Sequence, residues 1–227
     1  DGVIVSDYIQ ALGKSDLNVA QLFRAGVDAV AISGHKLGAP AGIGAVIINK
    51  EANASCRQFQ PLLFGGPQEN RFRAGSENLL GALTWGAICD ELSKSTQQEK
   101  LRIRELKNQF RDLLRSAIPD LLFLTPKDEK ITLTNTILCA VPGCRGDDLV
   151  VALDLAGLCA SFGSACHSGK QQTSYVVQAM GYDAEIARGA VRFSLDWNVT
   201  TSEIESGVRI ISEVVKRMRG VTELEAA

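Results

Sequence analysis

The stretch Val27-Asp28-Ala29-Val30-Ala31-Ile32-Ser33-Gly34-His35-Lys36 decides how the rest of the chain reads. Val27–Ile32 is a short apolar run without polar alternation, the pattern of a strand buried on both faces of a parallel or mixed sheet. Ser33-Gly34-His35-Lys36 then turns at once to small and polar residues, which sets a lysine just past the C-terminal end of that strand. Open α/β sheets hold their ligands at this place. Desolvation there favours a neutral amine, the form that Schiff-base chemistry needs. Taken alone, the four residues read more commonly as an exposed loop lysine beside a satisfied histidine.

Two similar runs flank the stretch, Val3–Val5 and Ala45–Ile48, and Val19–Ala25 between the first two strands suits a short helix. From Glu77 the period changes. Leu79, Leu83 and Ala87, then Ile88 and Leu92, recur at helical spacing. After the polar break Ser93–Gln98, a second amphipathic helix carries Ile103, Leu106, Phe110, Leu113 and Ala117 and stops before Pro119. Beyond it a smaller α+β unit is expected. A half-exposed strand has Leu133, Asn135, Ile137, Cys139 and Val141 on one face. Asp147–Ala156 is a helix closed by Gly157. Ser174–Met180 is a helical segment ended by Gly181, and Ala190–Leu195 is a strand. Thr200 and Glu203 form a capping box that opens a last helix with Ile204, Val208, Ile211, Val215 and Met218 on one face.

The chain has 227 residues, 45% of them hydrophobic and 22% charged, with a formal net charge of −2. That balance excludes a strongly basic nucleic-acid face and a polybasic membrane anchor. No apolar run is long enough for a bilayer-spanning helix. The six cysteines lack a C-x-x-C pair, so a structural zinc site is not expected, and they read as free thiols of a reducing, intracellular compartment. The first residues lack a starting Met and a signal pattern, and Val3–Val5 looks like a strand already in progress. The chain is therefore expected to be an N-terminally incomplete part of a longer protein, with any targeting segment outside it.

Three further places could carry chemistry. Asp7 follows the first strand, with Gln10 three residues on. A carboxylate inside an apolar sheet needs a cationic or strongly donating partner, although taken alone Asp7 reads more commonly as a turn or helix-cap aspartate. Cys166 lies in Gly163-Ser164-Ala165-Cys166-His167-Ser168-Gly169, a small-residue loop with glycines that would let an uncrowded thiol swing. An isolated cysteine is more often core filler, and the other five are read that way. Arg192, inside a short apolar strand, calls for an anion, either a substrate carboxylate or a structural ion pair.

The order of these pieces along the chain carries more than each does alone. Asp7-Tyr8-Ile9-Gln10-Ala11-Leu12-Gly13-Lys14, Ser33-Gly34-His35-Lys36, Arg71-Phe72-Arg73-Ala74-Gly75-Ser76-Glu77-Asn78, Gly163-Ser164-Ala165-Cys166-His167-Ser168 and Arg192-Phe193-Ser194-Leu195 resemble the class V aminotransferase family. The match is closest to its cysteine desulfurase and selenocysteine lyase branch. The resemblance implies the α/β fold type I of enzymes that use pyridoxal 5′-phosphate (PLP). Residues 1–78 would then be the C-terminal part of the large, PLP-binding domain, 79–118 connecting helices, and 119–227 a small α+β C-terminal domain with the mobile Cys loop. It implies that Lys36 binds PLP covalently and acts as the base, that Asp7 keeps the ring nitrogen protonated, and that Gln10 lies near the ring hydroxyl. Ser33 and His35 would serve the phosphate, Ser76 the phosphate of the other subunit's cofactor, Arg192 the substrate α-carboxylate, and Cys166 the departing sulfur.

The implied reaction takes sulfur from L-cysteine, leaving alanine and a persulfide on Cys166 for a sulfur acceptor or scaffold protein, as in iron–sulfur cluster assembly. A homodimer follows from the shared site. A selenocysteine lyase shares every one of these residues, and a catalytically silent interaction module is the reading from another class. Two departures stand out. The run Asp196-Trp197-Asn198-Val199-Thr200 is longer than the family's Gly-Arg before the last helix and lacks that Arg. The family's N-terminal part, with the group that stacks on the cofactor ring, has no counterpart here.

Overall fold

The computed structural model describes residues 2–50, 60–94, 97–162 and 174–225. The chain divides into two compact units, Asp1–Thr96 and Gln97–Ala227.

In the first unit a strand, β1 (Val5–Asp7), leads through helix α1 (Val19–Arg24) to a parallel strand β2 (Ala29–Ser33), and β3 (Gly44–Ile48) returns antiparallel to it. The sheet order is β1-β2-β3, a mixed sheet as the non-alternating runs predict. Asn18 starts α1 with a capping box: its side chain accepts from Gln21 N at 2.9 Å, and the Gln21 side chain accepts from Asn18 N at 2.8 Å. The long helix α2 (Leu79–Lys94) follows on the far side of a loop. One expectation fails here. Only the start of β2 is buried, whereas Val5 is 62% and Val46 50% exposed. In a three-stranded sheet two strands are edges, and α1 buries none of its own residues, so it covers little of either edge.

The second unit is a four-stranded antiparallel sheet in the order β4 (Leu122–Phe123), β5 (Thr136–Ala140), β7 (Ala190–Ser194) and β6 (Ser161–Phe162). Helices α3 (Gln97–Ala117), α4 (Gly146–Leu155) and α7 (Thr201–Glu225) supply the apolar stripes of its main core. Ile137 and Cys139 of β5 and Val191 and Phe193 of β7 point to that face, as period-two alternation demands. They meet Leu106, Phe110 and Leu114 of α3 and Ile204, Val208, Ile211 and Val215 of α7. Phe110 and Phe193 pack edge to face with centroids 5.6 Å apart. On the alternate residues of the same strands, Ala140 and Ala190 join a smaller cluster with Leu124, Val177 and Ala187. The last two come from the short helices α5 (Tyr175–Ala179) and α6 (Ala184–Arg188), of which α6 had no sequence signal. The stops fall where the glycines put them: Gly157 and Gly181 take φ of +83° and +93° after α4 and α5.

Candidate active site

Because β1 and β2 are parallel, their C-terminal ends emerge at the same edge of the sheet. Asp7 closes β1 in register with Ala31, and Tyr8 N donates to Ala31 O at 3.0 Å. Two residues beyond Ala31, Ser33 ends β2 and the chain bends into a 3-10 turn, Gly34–Leu37, which carries His35 and Lys36. Asp7, Ser33, His35 and Lys36 are thus brought to one end of one sheet by strand direction alone. Ser33 Oγ and His35 Nδ1 share a 2.8 Å hydrogen bond at an exposed corner, while Lys36 is half-buried. One Asp7 oxygen, Oδ1, accepts from Ile9 N at 3.0 Å. Asp7 Oδ2 has no hydrogen-bond partner among the described residues and faces solvent with the rest of this exposed side chain. Gln10 lies in the turn after β1, where its Oε1 accepts from Lys14 Nζ at 3.5 Å.

The lysine turn is set by packing beneath it. Gly34 is buried, and a methyl group built there would lie 2.7 Å from Ile43 Cγ2, 3.1 Å from Ala39 Cβ and 3.2 Å from the Trp85 ring. Asn78, just before α2, donates through Nδ2 to Gly42 O at 3.3 Å, and its Oδ1 accepts from Gly81 N at 3.0 Å. The start of α2 is thereby tied to the segment that follows Lys36.

Ser76 is exposed on a separate loop that is braced from within. Arg73 Nη1 donates to Gly75 O at 3.0 Å and to Ser76 O at 2.8 Å, and Gln68 Oε1 accepts from Gly75 N at 3.3 Å. The same loop holds three successive left-handed residues, Glu69, Asn70 and Arg71, with φ of +46°, +53° and +70°.

In the second unit Arg192 sits mid-strand in β7, paired with Leu138 on one side and Ser161 on the other. It alternates with Val191 and Phe193 and so points away from the main core. Its Nε is buried and has no hydrogen-bond partner among the described residues, an orphan donor that suits an arriving anion. Cys56, Cys166 and His167 lie outside the described residues. Of the other cysteines, Cys139 and Cys144 are buried as expected, and burial pushes the Cys139 thiol up to about 12. Burial also raises the Cys144 thiol, against the pull of Arg219. Cys89 and Cys159 correct the reading of them as core filler, for both are exposed. The braces Arg73, Gln68 and Asn78 are not singled out by the sequence as site residues, since Arg73 and Asn78 donate to, and Gln68 accepts from, main-chain groups.

Residues 1–206 match the family model described as aminotransferase class-V. The chain belongs to the class V aminotransferases. It is 36% identical over 216 residues to "Cysteine desulfurase 2" of Trichormus variabilis, covering 95% of this chain and 52% of that protein. It is 35% identical over 215 residues to a cysteine desulfurase of Bradyrhizobium diazoefficiens, covering 94% and 52%. Among solved structures, a NifS-like protein from Rickettsia africae superposes with a TM-score of 0.79 at 26% identity, over 94% of this chain and 54% of that one. Another NifS-like protein gives 0.75 at 28% identity, over 94% and 52%. The architecture is that of fold type I, and this class V aminotransferase chain spans about half the length of the curated relatives it matches. No helix among the described residues is long and apolar enough to cross a membrane.

Proposed function

We propose that this chain is part of a PLP-dependent cysteine desulfurase that moves the sulfur of L-cysteine onto Cys166, releases alanine and passes the sulfur to an acceptor protein. The reading rests on one observation above all: an amine, a carboxylate and a hydroxyl–imidazole pair meet at the C-terminal end of β1 and β2. That donor set fits the three functional parts of PLP. Asp7 Oδ2 would hold the proton on the ring nitrogen, Ser33 Oγ and His35 would donate to the phosphate, and Lys36 Nζ would hold the aldehyde carbon. Gln10 would face the ring hydroxyl. Ser76 would add a hydroxyl to a phosphate in a homodimer. When bound, PLP supplies the electron sink that loosens the bond to sulfur.

The remaining work falls to the chain's own groups. Lys36 Nζ, once released, takes the proton from the substrate Cα and returns one to the product; proton transfer by a positioned amine contributes about 10²–10⁴-fold. Arg192 would grip the substrate α-carboxylate with its planar fork. The thiolate of Cys166 takes the substrate sulfur, forming an S–S bond as the carbon–sulfur bond breaks. Among the described cysteines, Cys139 and Cys144 are held as thiols by burial, which disqualifies them as nucleophiles at neutral pH. In this reading 1–78 contribute to the cofactor domain, 79–118 connect, and 119–227 present Arg192 and Cys166.

The test is borohydride reduction of the purified protein with PLP, followed by peptide mapping. Stable label confined to Lys36 is the expected result, with alanine released from L-cysteine and lost in Cys166→Ser. Label on any other lysine, or none on a folded protein, overturns the assignment. Faster alanine release from selenocysteine than from cysteine would convert the reading to a selenocysteine lyase.

A further inference from the structure

We infer that Arg102, on α3, is a positioning residue for Arg192, acting by locking the chain that leaves β7. The segment between β7 and α7 is the one that departs from the family pattern, being longer and without an arginine of its own. The structure supplies an arginine from outside it. Arg102 Nη1 donates to Val199 O at 2.9 Å, and Nη2 donates to Trp197 O. The two carbonyls are two residues apart, a span that suits the two ends of one rigid guanidinium fork and not a single ammonium.

Upstream, Leu195 is held from both of its backbone groups by the buried Asn135. Leu195 N donates to Asn135 O at 2.8 Å, and Asn135 Nδ2 donates to Leu195 O at 2.9 Å. Within the segment, Asn198 N donates to Asp196 Oδ1 at 2.9 Å. Downstream, Thr200 N and Oγ1 both donate to Glu203 Oε2 at 2.8 Å. The exit of β7 is thus pinned at residues 195, 197, 199 and 200, and Arg192 stands three residues before the first pin. Asn135 is buried and belongs to the packed sheet, whereas Arg102 is exposed. Arg102 can therefore be removed without opening the core. With it gone, Trp197 O and Val199 O lose their side-chain donor, and the exit of β7 is held only by Asn135 at Leu195 and by the Thr200–Glu203 cap, a looser exit through which a shift reaches Arg192 three residues upstream. Misplacement of a carboxylate clamp by a fraction of an ångström weakens carboxylate binding and leaves the rest of the substrate's contacts alone.

The inference rests on the reading of Arg192 as the carboxylate binder, and the test separates the two. Dissociation constants of S-methyl-L-cysteine and of 2-(methylthio)ethylamine, which differ only by the carboxylate, are measured by calorimetry on the holoprotein. Arg102→Met should weaken the first ligand about tenfold and the second by less than about twofold. Arg102→Lys should restore only part of the loss, and hydrogen exchange at the Asn198 and Val199 amides should quicken in Arg102→Met. If Arg102→Met leaves the ratio of the two constants unchanged while Arg192→Gln collapses it, the inference about Arg102 is overturned and the reading of Arg192 stands. If Arg192→Gln leaves the ratio unchanged, the carboxylate reading itself fails, and the role given to Arg102 falls with it.

Discussion

Replacing Gly34 with alanine adds one methyl group at the point where the lysine turn rests on its floor. Gly34 has no positive φ, so the backbone tolerates alanine and the cost is purely steric. The new Cβ would fall 2.7 Å from Ile43 Cγ2, well inside contact distance, and 3.1–3.2 Å from Ala39 Cβ and the Trp85 ring. Three walls close the same space, so no single side chain can swing clear. Overpacking of this kind costs about 1–3 kcal/mol. The same substitution at Gly86, inside α2, meets nothing within 4 Å. There alanine should stabilise by about 0.5–1 kcal/mol through helix propensity. One change of residue type in one compact unit is thus expected to act with opposite signs. The assay is urea unfolding followed by Trp85 emission in a Trp197→Phe background, since Trp85 and Trp197 are the only two tryptophans of the chain. Gly34→Ala should lower the midpoint at unchanged m and shift the emission, because the added methyl touches the ring itself. Equal midpoints for Gly34→Ala and wild type, with unshifted emission, would refute the packing argument.

Two further expectations follow from titrating groups. Burial raises the Cys139 thiol from 9.0 to about 12, so the folded chain holds this proton more tightly than the unfolded chain. The resulting stabilisation is complete below pH 9 and is lost as pH rises toward about 12, and a thiol reagent near neutrality should label Cys89 and Cys159 but not Cys139 until denaturant is added. Hydrogen bonds from the backbone and hydroxyl of Thr200 hold the Glu203 carboxylate below its ordinary 4.5. Its contribution is therefore present above pH 4.5 and disappears as pH falls through the lower folded value; carbon-detected NMR titration should place Glu203 below 4.5 and return it toward 4.5 in Thr200→Val.

The fold was most legible where one periodicity ran long enough to leave no choice. Ile103, Leu106 and Phe110 recur at helical spacing and all three are buried, the last two in the main core; Ile204, Val208, Ile211 and Val215 of α7 lie in the same core. The capping box at Thr200 and Glu203 was readable because both partners are side chains at fixed spacing. The burial of β1 and β3 was not. A non-alternating run such as Val3–Val5 records that both faces of a strand are apolar, and says nothing of whether neighbours cover them within 227 residues. The short elements β4, β6 and α6 were missed for a related reason. Two to five residues cannot display a period, and they form because β5, β7 and the Asp183 cap present pairing groups to them.

At the candidate site the legible residues are the ones whose chemistry is unusual for their surroundings. A lysine after a buried strand, an aspartate at a strand end and an arginine within one all violate local expectation, and such violations mark sites more often than cores. The residues that brace the segments around the candidate site violate nothing. Arg73, Arg102 and Asn135 each donate to backbone carbonyls, of Gly75 and Ser76, of Trp197 and Val199, and of Leu195. A carbonyl acceptor is present at every position of every sequence, so the donor's partner has no letter of its own. For Arg102 and Asn135 the accepting residue lies 97 and 60 positions away, beyond any local pattern. The reactive groups are thus written in residue types, whereas their orientation is written in donor-to-backbone bonds that become visible only once the chain has folded. A variant that spares the named site residues but removes such a donor should therefore lose ligand discrimination with every candidate site residue still in place.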